Sequence, residues 1–442
     1  MTDNRLGPAA VQRVVLANGL TVLVEHCPTA PVVSVVTHVR AGYFDEPDAW
    51  TGIAHVMEHM FFTGSARYGP GDMARAIREL GGSVNAGTIY DRTVYYAVLP
   101  STDDGLTKAV ELQADALMHA ALDPEQLARE LEVIVQESRR KQDSPPAVTT
   151  ETLYGQLFRR HRMRRWRIGT AEGLRRLTAQ DLREYYESRY TPSRTILALV
   201  GDLDVDAALD LARRTYESWS RPPGEIPESP PESDPPPPNR RILRGDVERP
   251  QVALGWRTVG TLHPDAPVLD VAAGILGWGR ASWLSRAIRE PGLAGGVGAR
   301  HYTPTEIGVF DVSLSGEARH LDDAVETALE LVNGLGHPGP TPEDVRRVVA
   351  LDGVRWARRL ETMDGRGATW CAFEALGGLH LAEALRAATE RVTPDDVQAV
   401  ADRYLGAARD DDRVSAVRHR RRGRFLAANG GQDPPTANSG RP

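Results

Sequence analysis

The chain has 442 residues, which is enough for two or more domains with proper hydrophobic cores. A net charge of −7 and a pI near 6.0 give no support for a nucleic-acid partner, and no apolar run is long enough to cross a membrane. Cys27 and Cys371 lie in opposite halves and offer neither a disulfide framework nor a Cys-rich metal site. Because the first residues lack the apolar core of a signal peptide, we expect a cytoplasmic protein with no membrane partner.

The first segment that indicates a functional site is HVMEH at residues 55–59, on a predicted helix. His55 and His59 are one helical turn apart on one face, where two imidazoles can hold a divalent metal, usually zinc. Glu58 lies beside them, close enough to take a proton from a water molecule at the metal. HxxEH is the inverse of the HExxH motif of zinc proteases. A surface helix with two incidental histidines is the alternative, but chance should produce the pattern only about 0.02 times in such a chain.

The third ligand of a catalytic zinc site is expected on a helix that begins near Pro124. Glu130 and Glu137 are two turns apart on this helix and face the same way. Val133 and Ile134 have the spacing that packs such a helix onto a core. Taken alone, the two glutamates favour a solvated face by roughly 4 to 1. Together with the HVMEH motif upstream, however, they favour a metal site over a solvated face.

With Glu137 about 78 residues after His59, this pattern resembles the insulinase/pitrilysin family of inverted zinc metallopeptidases. The resemblance covers about residues 11–417 and includes flanking segments in the family's order. These are residues 16–22 (LANGLTV), 40–42 (RAG), 52–64 (GIAHVMEHMFFTG), 81–88 (GGSVNAGT), 93–96 (TVYY), 196–202 (ILALVGD), and Asp143 with Pro145.

The resemblance implies that His55, His59 and Glu137 bind one zinc ion per chain and that Glu58 is the general base of an endopeptidase. Glu130 would orient a ligand without binding the metal. Asn85 and Ala86 would lie on a strand edge that pairs with the backbone of an extended peptide. The alternative for this last segment is a hairpin in which Asn-Ala-Gly forms the turn.

The clearest boundary is the proline-rich stretch at residues 221–238, which can join neither a helix nor a central strand. We therefore predict a zinc-binding domain at 1–220, a linker at 221–240, a homologous domain at 241–417 and a disordered basic tail at 418–442. A tail that docks on an acidic partner is the less favoured alternative.

The two halves also resemble each other. Residues 177–190 resemble 392–404, and a strand-like run opens each half, at 31–39 and at 251–256. We predict an α+β fold of two homologous α/β domains of about 215 residues each, related by internal duplication. The family resemblance implies that such domains enclose a cavity.

The sequence departs from the family's pattern at one pair of residues. In related proteins the second half supplies an Arg and a Tyr, about seven residues apart. Arg289 matches the Arg, but Gly295 or Gly296 stands where the Tyr is expected, and Tyr302 is a weak substitute. We therefore predict the zinc-bearing subunit of a heterodimer, similar to mitochondrial processing peptidase, whose homologous partner supplies the Arg/Tyr pair. The substrates would be peptides or unfolded segments, with a role in peptide or leader processing. The alternatives are a non-catalytic scaffold subunit and a zinc hydrolase of small amides.

Overall fold

The computed structural model describes residues 7–225, 228–232, 240–245, 247–406 and 415–421. Its first half forms a sheet of six strands: β1 (Val11–Val15), β2 (Thr21–His26), β3 (Val32–Val39), β4 (Ser83–Thr88), β5 (Thr93–Pro100) and β6 (Thr195–Gly201). Between residues 7 and 225, the α-helices that accompany these strands are α1 (Ile53–Met60), α2 (Asp72–Glu79), α3 (Asp103–Met118), α4 (Pro124–Gln142), α5 (Pro145–Leu157), α6 (Ala171–Leu174), α7 (Ala179–Arg189) and α8 (Val205–Tyr216).

In the described part of the second half, five strands form a sheet: β7 (Arg240–Gly245), β8 (Gln251–Val259), β9 (Gly296–Tyr302), β10 (Ile307–Ser315) and β11 (Ser415–Arg421). Its α-helices in the described residues are α9 (Ala266–Gly277), α10 (Leu321–Gly336), α11 (Pro342–Arg359), α12 (Met363–Leu376), α13 (His380–Glu390) and α14 (Pro394–Val400). Two short π-helical segments lie at Ser285–Arg289 and Ala401–Leu405. None of the helices in the described ranges has the length and apolar composition needed to cross a membrane.

The two sheets share one topology. The first has the strand order β1-β2-β6-β3-β5-β4, and the second has the order β7-β11-β8-β10-β9. Without β1, the orders correspond strand for strand, and the one parallel pair among the described strands of each sheet, β2 with β6 or β7 with β11, lies at the same place. This confirms the predicted α+β fold of two homologous domains.

The local sequence repeats fall on equivalent elements. The matched strand-like runs are β3 and β8, which take the same place in the two sheets. The matched helical segments are α7 and α14, and each begins with a reciprocal capping box, Thr178 with Asp181 and Thr393 with Asp396. Internal duplication therefore extends from the strand order to the hydrogen bonds that start a helix.

Each half covers one face of the other half's sheet with a helix. α12 of the second half packs on β3 and β6, and α5 of the first half packs on β8 and β11. A separate hydrophobic cluster, which includes Val36, Ile196 and Trp370, fills the space between α12 and the first sheet. The halves are thus joined by an exchange of helices, in addition to the linker.

The predicted linker is partly anchored. Residues 221–225 and 228–232 contain no helix or strand, and residues 226–227 and 233–239 lie outside the described residues. The Glu232 carboxylate accepts hydrogen bonds from the backbone N–H groups of Arg159, Arg160 and His161 at 2.6–2.8 Å, and it pairs with Arg257 at 3.1 Å. One acidic residue therefore attaches the segment to both halves.

The predicted start of the disordered tail at Arg418 is wrong, because β11 continues to Arg421. Its residues pair with β7 on one side and with β8 on the other, so backbone hydrogen bonds hold Arg418 and His419 in the sheet. Composition alone could not reveal this, since the pairing partners lie far away in sequence. Residues 422–442 of the predicted tail lie outside the described residues.

Candidate metal centre

Helix α1 carries the HVMEH motif and is fixed at both its apolar face and its N-terminus. Ile53, Val56, Met57 and Met60 are fully buried, so the remaining face presents the polar side chains. The buried Glu46 carboxylate accepts hydrogen bonds from the N–H groups of Gly52 and Ala54, at 3.1 and 2.9 Å. These N–H groups have no partner inside the helix, and the positive end of its dipole favours an acidic residue there.

Gly52 must be glycine for two reasons. Its φ is 100°, and a Cβ atom would lie 2.7 Å from the backbone oxygen of Ile168. The chain therefore enters the motif helix through a turn that other residues would strain.

His55 and His59 project side by side from the polar face. Their ring centroids are 4.8 Å apart with an interplanar angle of 84°, and their side chains are 16% and 19% exposed. The helix spacing has thus brought two imidazoles together in a half-enclosed position.

Helix α4 brings the carboxylates to this pair. Asp123 caps its N-terminus, and Leu127, Leu131, Ile134 and Val135 are buried, so the helix begins at Pro124 as predicted. Val133, however, is 46% exposed, so the prediction that it packs on the core together with Ile134 is wrong. The buried stripe instead follows residues 127, 131, 134, 135 and 138, a regular helical spacing that places Glu130 and Glu137 at its edge.

Glu137 meets both histidines. Its Oε2 lies 3.8 Å from Nε2 of His55 and 3.7 Å from Nε2 of His59, and all three atoms lie within 4.8 Å of one another. Donor atoms of a tetrahedral zinc ion with bonds of about 2.0–2.1 Å are about 3.3 Å apart, so small side-chain adjustments suffice. Two imidazoles and one carboxylate are also a donor set that suits zinc. Within the described ranges, no other trio of His, Cys, Asp and Glu residues converges in this way.

Glu130 contacts a histidine rather than the trio's centre. Its Oε2 lies 2.9 Å from Nδ1 of His59. A proton held on Nδ1 leaves Nε2, the nitrogen facing Glu137, free to act as a ligand. This is the contact expected of a residue that orients a ligand. His55 differs, because its buried Nδ1 has no partner among the described residues.

Burial sets the charge of the site. Burial, followed by the nearby His59 and Lys141, lowers the pKa of His55 to about 4, so its imidazole is neutral at neutral pH. Burial raises the pKa of Glu58, whereas a hydrogen bond from Thr88 and the proximity of His59 oppose that rise. The neutral imidazole is the form that binds a metal.

The segment containing Asn85 and Ala86 is a strand at the open edge of the first sheet. Asn85, Ala86 and Gly87 pair with Tyr96, Tyr95 and Val94 of β5, so the alternative of an Asn-Ala-Gly turn is wrong. No strand of the described residues pairs with the other side of β4. There the N–H of Ala86 donates to the Oδ1 of Asn85 at 2.8 Å, and a Cβ added to Gly87 would meet nothing within 4 Å. The edge is therefore accessible.

The second half has no tyrosine where the family's pair would place one. Arg289 ends a π-helical segment, and Gly296 begins β9, where a Cβ atom would lie 2.3 Å from Oγ of Ser315. Tyr302 lies at the opposite end of β9 and packs against Tyr90, with ring centroids 5.9 Å apart. It is therefore committed to a contact within this chain.

Two contacts were missed by sequence reasoning. Thr88 donates a hydrogen bond to Glu58, and Glu46 caps the motif helix. Thr88 belongs to the recognised segment GGSVNAGT, but nothing local singles out its hydroxyl. Glu46 gave no signal, because the loop that returns its carboxylate to the helix has no periodic pattern.

Two repeated α+β domains, one of them carrying an HxxEH helix, give the chain the fold and the motif of the inverted zinc metallopeptidase class. It belongs to the insulinase family, peptidase family M16. Residues 21–171 match the family model described as insulinase (peptidase family M16), and residues 176–351 match that of the peptidase M16 inactive domain. The recognition made from the sequence is confirmed.

Named relatives agree with this assignment. An uncharacterized zinc protease of Mycobacterium leprae is 30% identical over 349 residues, which are 76% of this chain and 76% of that protein. A probable mitochondrial-processing peptidase subunit beta of Arabidopsis thaliana is 26% identical over 324 residues, 70% of this chain and 60% of that protein. The solved structure of a protease from Helicobacter pylori has the same fold, with a TM-score of 0.84 and 22% identity, covering 92% of this chain and 99% of that one.

Proposed function

We propose that this chain is a zinc-dependent endopeptidase that cleaves peptides or unfolded segments. His55, His59 and Glu137 would hold one zinc ion per chain, and Glu58 would be the general base. The observation that carries the proposal is the convergence of two histidine nitrogens and one carboxylate oxygen within 4.8 Å, next to a carboxylate that is not part of the trio. A single cluster of this kind suits a catalytic site with one open position.

The chemistry follows from the side chains around that position. When bound, zinc would activate a water molecule and polarise the scissile carbonyl. Glu58 would accept a proton from the attacking water and transfer it to the nitrogen of the leaving amine. Glu130 would keep Nε2 of His59 directed at the metal through the bond to Nδ1.

Substrate would bind along β4 as an added strand. The N–H of Ala86, now satisfied by Asn85, would donate to a carbonyl of the substrate backbone instead. Main-chain pairing of this kind gives affinity with little dependence on sequence. It suits unfolded segments, because most backbone groups of a folded protein are already hydrogen-bonded.

Full activity would require a homologous partner subunit that supplies the Arg/Tyr pair. Two features support this part of the proposal. Gly296 has no room for a side chain without movement of Ser315, and Tyr302 is packed on Tyr90. The Arabidopsis relative is named as a subunit, which agrees with a two-chain enzyme. The role in peptide or leader processing and the cytoplasmic location stay predictions.

The second candidate is a non-catalytic scaffold subunit. It is favoured by the match of residues 176–351 to a domain described as inactive. A scaffold does not need four polar groups held together in a half-buried site, because each of them costs desolvation energy. The endopeptidase is therefore the better-supported proposal.

Metal analysis of the purified chain tests the proposal first. We expect about one zinc per chain, lost in His59→Ala. The second step is cleavage of a quenched fluorescent peptide library, by the chain alone and with its partner. A chain that binds no zinc when correctly folded contradicts the proposal. Rapid cleavage by the chain alone contradicts only the need for a partner.

A further inference from the structure

The hydroxyl group of Thr88 is directed at the candidate general base. Thr88 is the last residue of β4, and its Oγ1 lies 2.5 Å from Oε2 of Glu58. A short O–H···O contact to a carboxylate is characteristic of a charge-assisted hydrogen bond, which is stronger than one between neutral groups. This contact links the open edge strand directly to the motif helix.

A neighbouring hydroxyl group makes a second, longer contact with Thr88. Oγ1 of Thr93 lies 3.3 Å from Oγ1 of Thr88 and donates its own proton to the backbone oxygen of Ala41 at 2.9 Å. A hydroxyl has only one proton, and that of Thr93 is committed to a carbonyl, which can only accept. Thr93 therefore donates nothing to Thr88, and the proton of Thr88 is directed to the Glu58 carboxylate, which is the much shorter of these two contacts and which, when ionised, can only accept.

The loop that follows Thr88 is held by the second half of the chain. The Tyr90 ring packs on Tyr302, with centroids 5.9 Å apart, and the N–H of Thr305 donates to Asp91 at 3.2 Å. Ile89 and Arg92 close the loop through a backbone hydrogen bond of 2.9 Å. Thr88 thus sits between a strand and a loop that are both fixed.

We propose that Thr88 is a positioning residue for Glu58: its hydroxyl holds Oε2 of the carboxylate and so fixes the orientation in which Glu58 meets the reacting water, and it joins the peptide-binding strand to the base. A peptide that pairs with β4 would contact the same strand whose last residue orients Glu58. The inference rests on the proposed function, in which Glu58 is the general base and β4 is the substrate strand.

The simpler explanation is that Thr88 only stabilises the end of β4. The two explanations differ in what a variant changes. A structural role predicts a lower unfolding temperature and no specific effect on ligands at the metal. A positioning role predicts that a ligand needing a correctly oriented Glu58 binds less tightly, while zinc content and the unfolding temperature change little.

A zinc-binding peptide hydroxamate is a suitable probe, because its hydroxyl group takes the place of the attacking water and hydrogen-bonds to the base. Its Kd would be measured by calorimetry on the zinc-loaded chain, so the result does not depend on turnover or on a partner. For Thr88→Val, which removes the donor at nearly constant shape, we expect binding about tenfold weaker with unchanged zinc content. Thr88→Ser, which keeps the donor, should bind within about twofold of the wild type.

The control is Thr327→Val on α10, which removes a hydroxyl that donates to the backbone oxygen of Asp323. It should leave hydroxamate binding unchanged. If Thr88→Val fails to fold, Thr88→Ala also removes the hydroxyl group, together with the γ-methyl group of threonine. Equal Kd values for the wild type and for the variants without the hydroxyl contradict the inference, as does a loss that Thr88→Ser fails to restore. A wild-type chain that binds neither zinc nor hydroxamate contradicts the proposed function instead.

Discussion

Arg366 on α12 and Glu25 on β2 form a buried ion pair between the two halves of the chain. The guanidinium donates to both carboxylate oxygens, one of these bonds being 2.9 Å long, and the indole N–H of Trp370 adds a third hydrogen bond at 2.7 Å. Both charged side chains are less than a tenth exposed. This pair holds the exchanged helix on the first sheet.

Removing one partner of this pair should destabilise the protein strongly. For Glu25→Gln we expect a loss of about 3–5 kcal/mol in the free energy of unfolding, because the Arg366 charge stays buried without compensation. Urea denaturation followed by circular dichroism measures it. Glu172→Gln, which breaks an exposed pair with Arg176, is the control and should change stability by less than about 1 kcal/mol. Equal effects of the two variants would show that the buried pair contributes little.

Glu58→Gln should retain zinc and lose turnover. The amide cannot accept a proton from water. We therefore expect the rate of peptide cleavage by the chain together with its partner subunit to fall by at least about 10²-fold. Zinc content, measured by mass spectrometry, should stay at that of the wild type, since Glu58 lies outside the trio. A zinc-loaded variant that cleaves at the wild-type rate contradicts the assignment of the base.

Glu130→Gln should weaken zinc binding without abolishing it. The carboxylate holds Nδ1 of His59 at 2.9 Å, and loss of such a contact typically lowers metal affinity by about 10- to 100-fold. Competition with a chromophoric chelator measures the affinity. Glu125→Gln, at an 85% exposed position of the same helix, is the matched control. Zinc affinity equal in both variants would argue against a role for Glu130 in orienting the ligand.

Ala86→Pro should weaken peptide binding. The N–H of Ala86 faces the open edge, so proline removes the donor offered to substrate while leaving the hydrogen bonds to β5. Fluorescence anisotropy with a labelled peptide on the zinc-loaded Glu58→Gln chain should show an affinity about tenfold lower. Gly87→Ala keeps the edge donors and has open space for its methyl group, so it should bind like the parent. Unchanged binding by Ala86→Pro would exclude β4 as the peptide-binding edge.

His38 should make the protein sensitive to acid. Burial, then repulsion from Arg92 and Arg40, holds the pKa of this 1% exposed histidine well below its usual value. Below about pH 6.5 the unfolded chain therefore binds a proton that the native state does not bind. As a result, the free energy of unfolding decreases by about 1.4 kcal/mol for each unit by which the pH is lowered.

His38→Gln should remove this dependence. Between pH 6.5 and 5, its free energy of unfolding should fall by about 2 kcal/mol less than that of the wild type. His337→Gln, at a side chain that is 86% exposed, should follow the wild-type slope. Parallel slopes for the wild type and His38→Gln would contradict the prediction.

Local physics made part of this protein predictable. The pairing of His55 with His59 needs only the period of a helix, and the caps at Asp123, Thr178 and Thr393 depend on neighbours within three residues. The recognised motif order located Glu130 and Glu137 on the right helix. It could not show which side of that helix is buried, and Val133 was therefore misplaced.

The motif helix, the repeated halves and the family could be predicted before the fold was known, because they follow from spacing along the chain. Three features became visible only in the folded chain: the approach of Glu137 to the histidines, the exchange of α5 and α12 between the halves, and the continuation of β11 through Arg418. Each of these depends on contacts between residues far apart in sequence, whose geometry is set by packing. The hydroxyl of Thr88 shows the same limit: its segment was recognised, but its proton acquired a direction only when β4 came to lie beside α1.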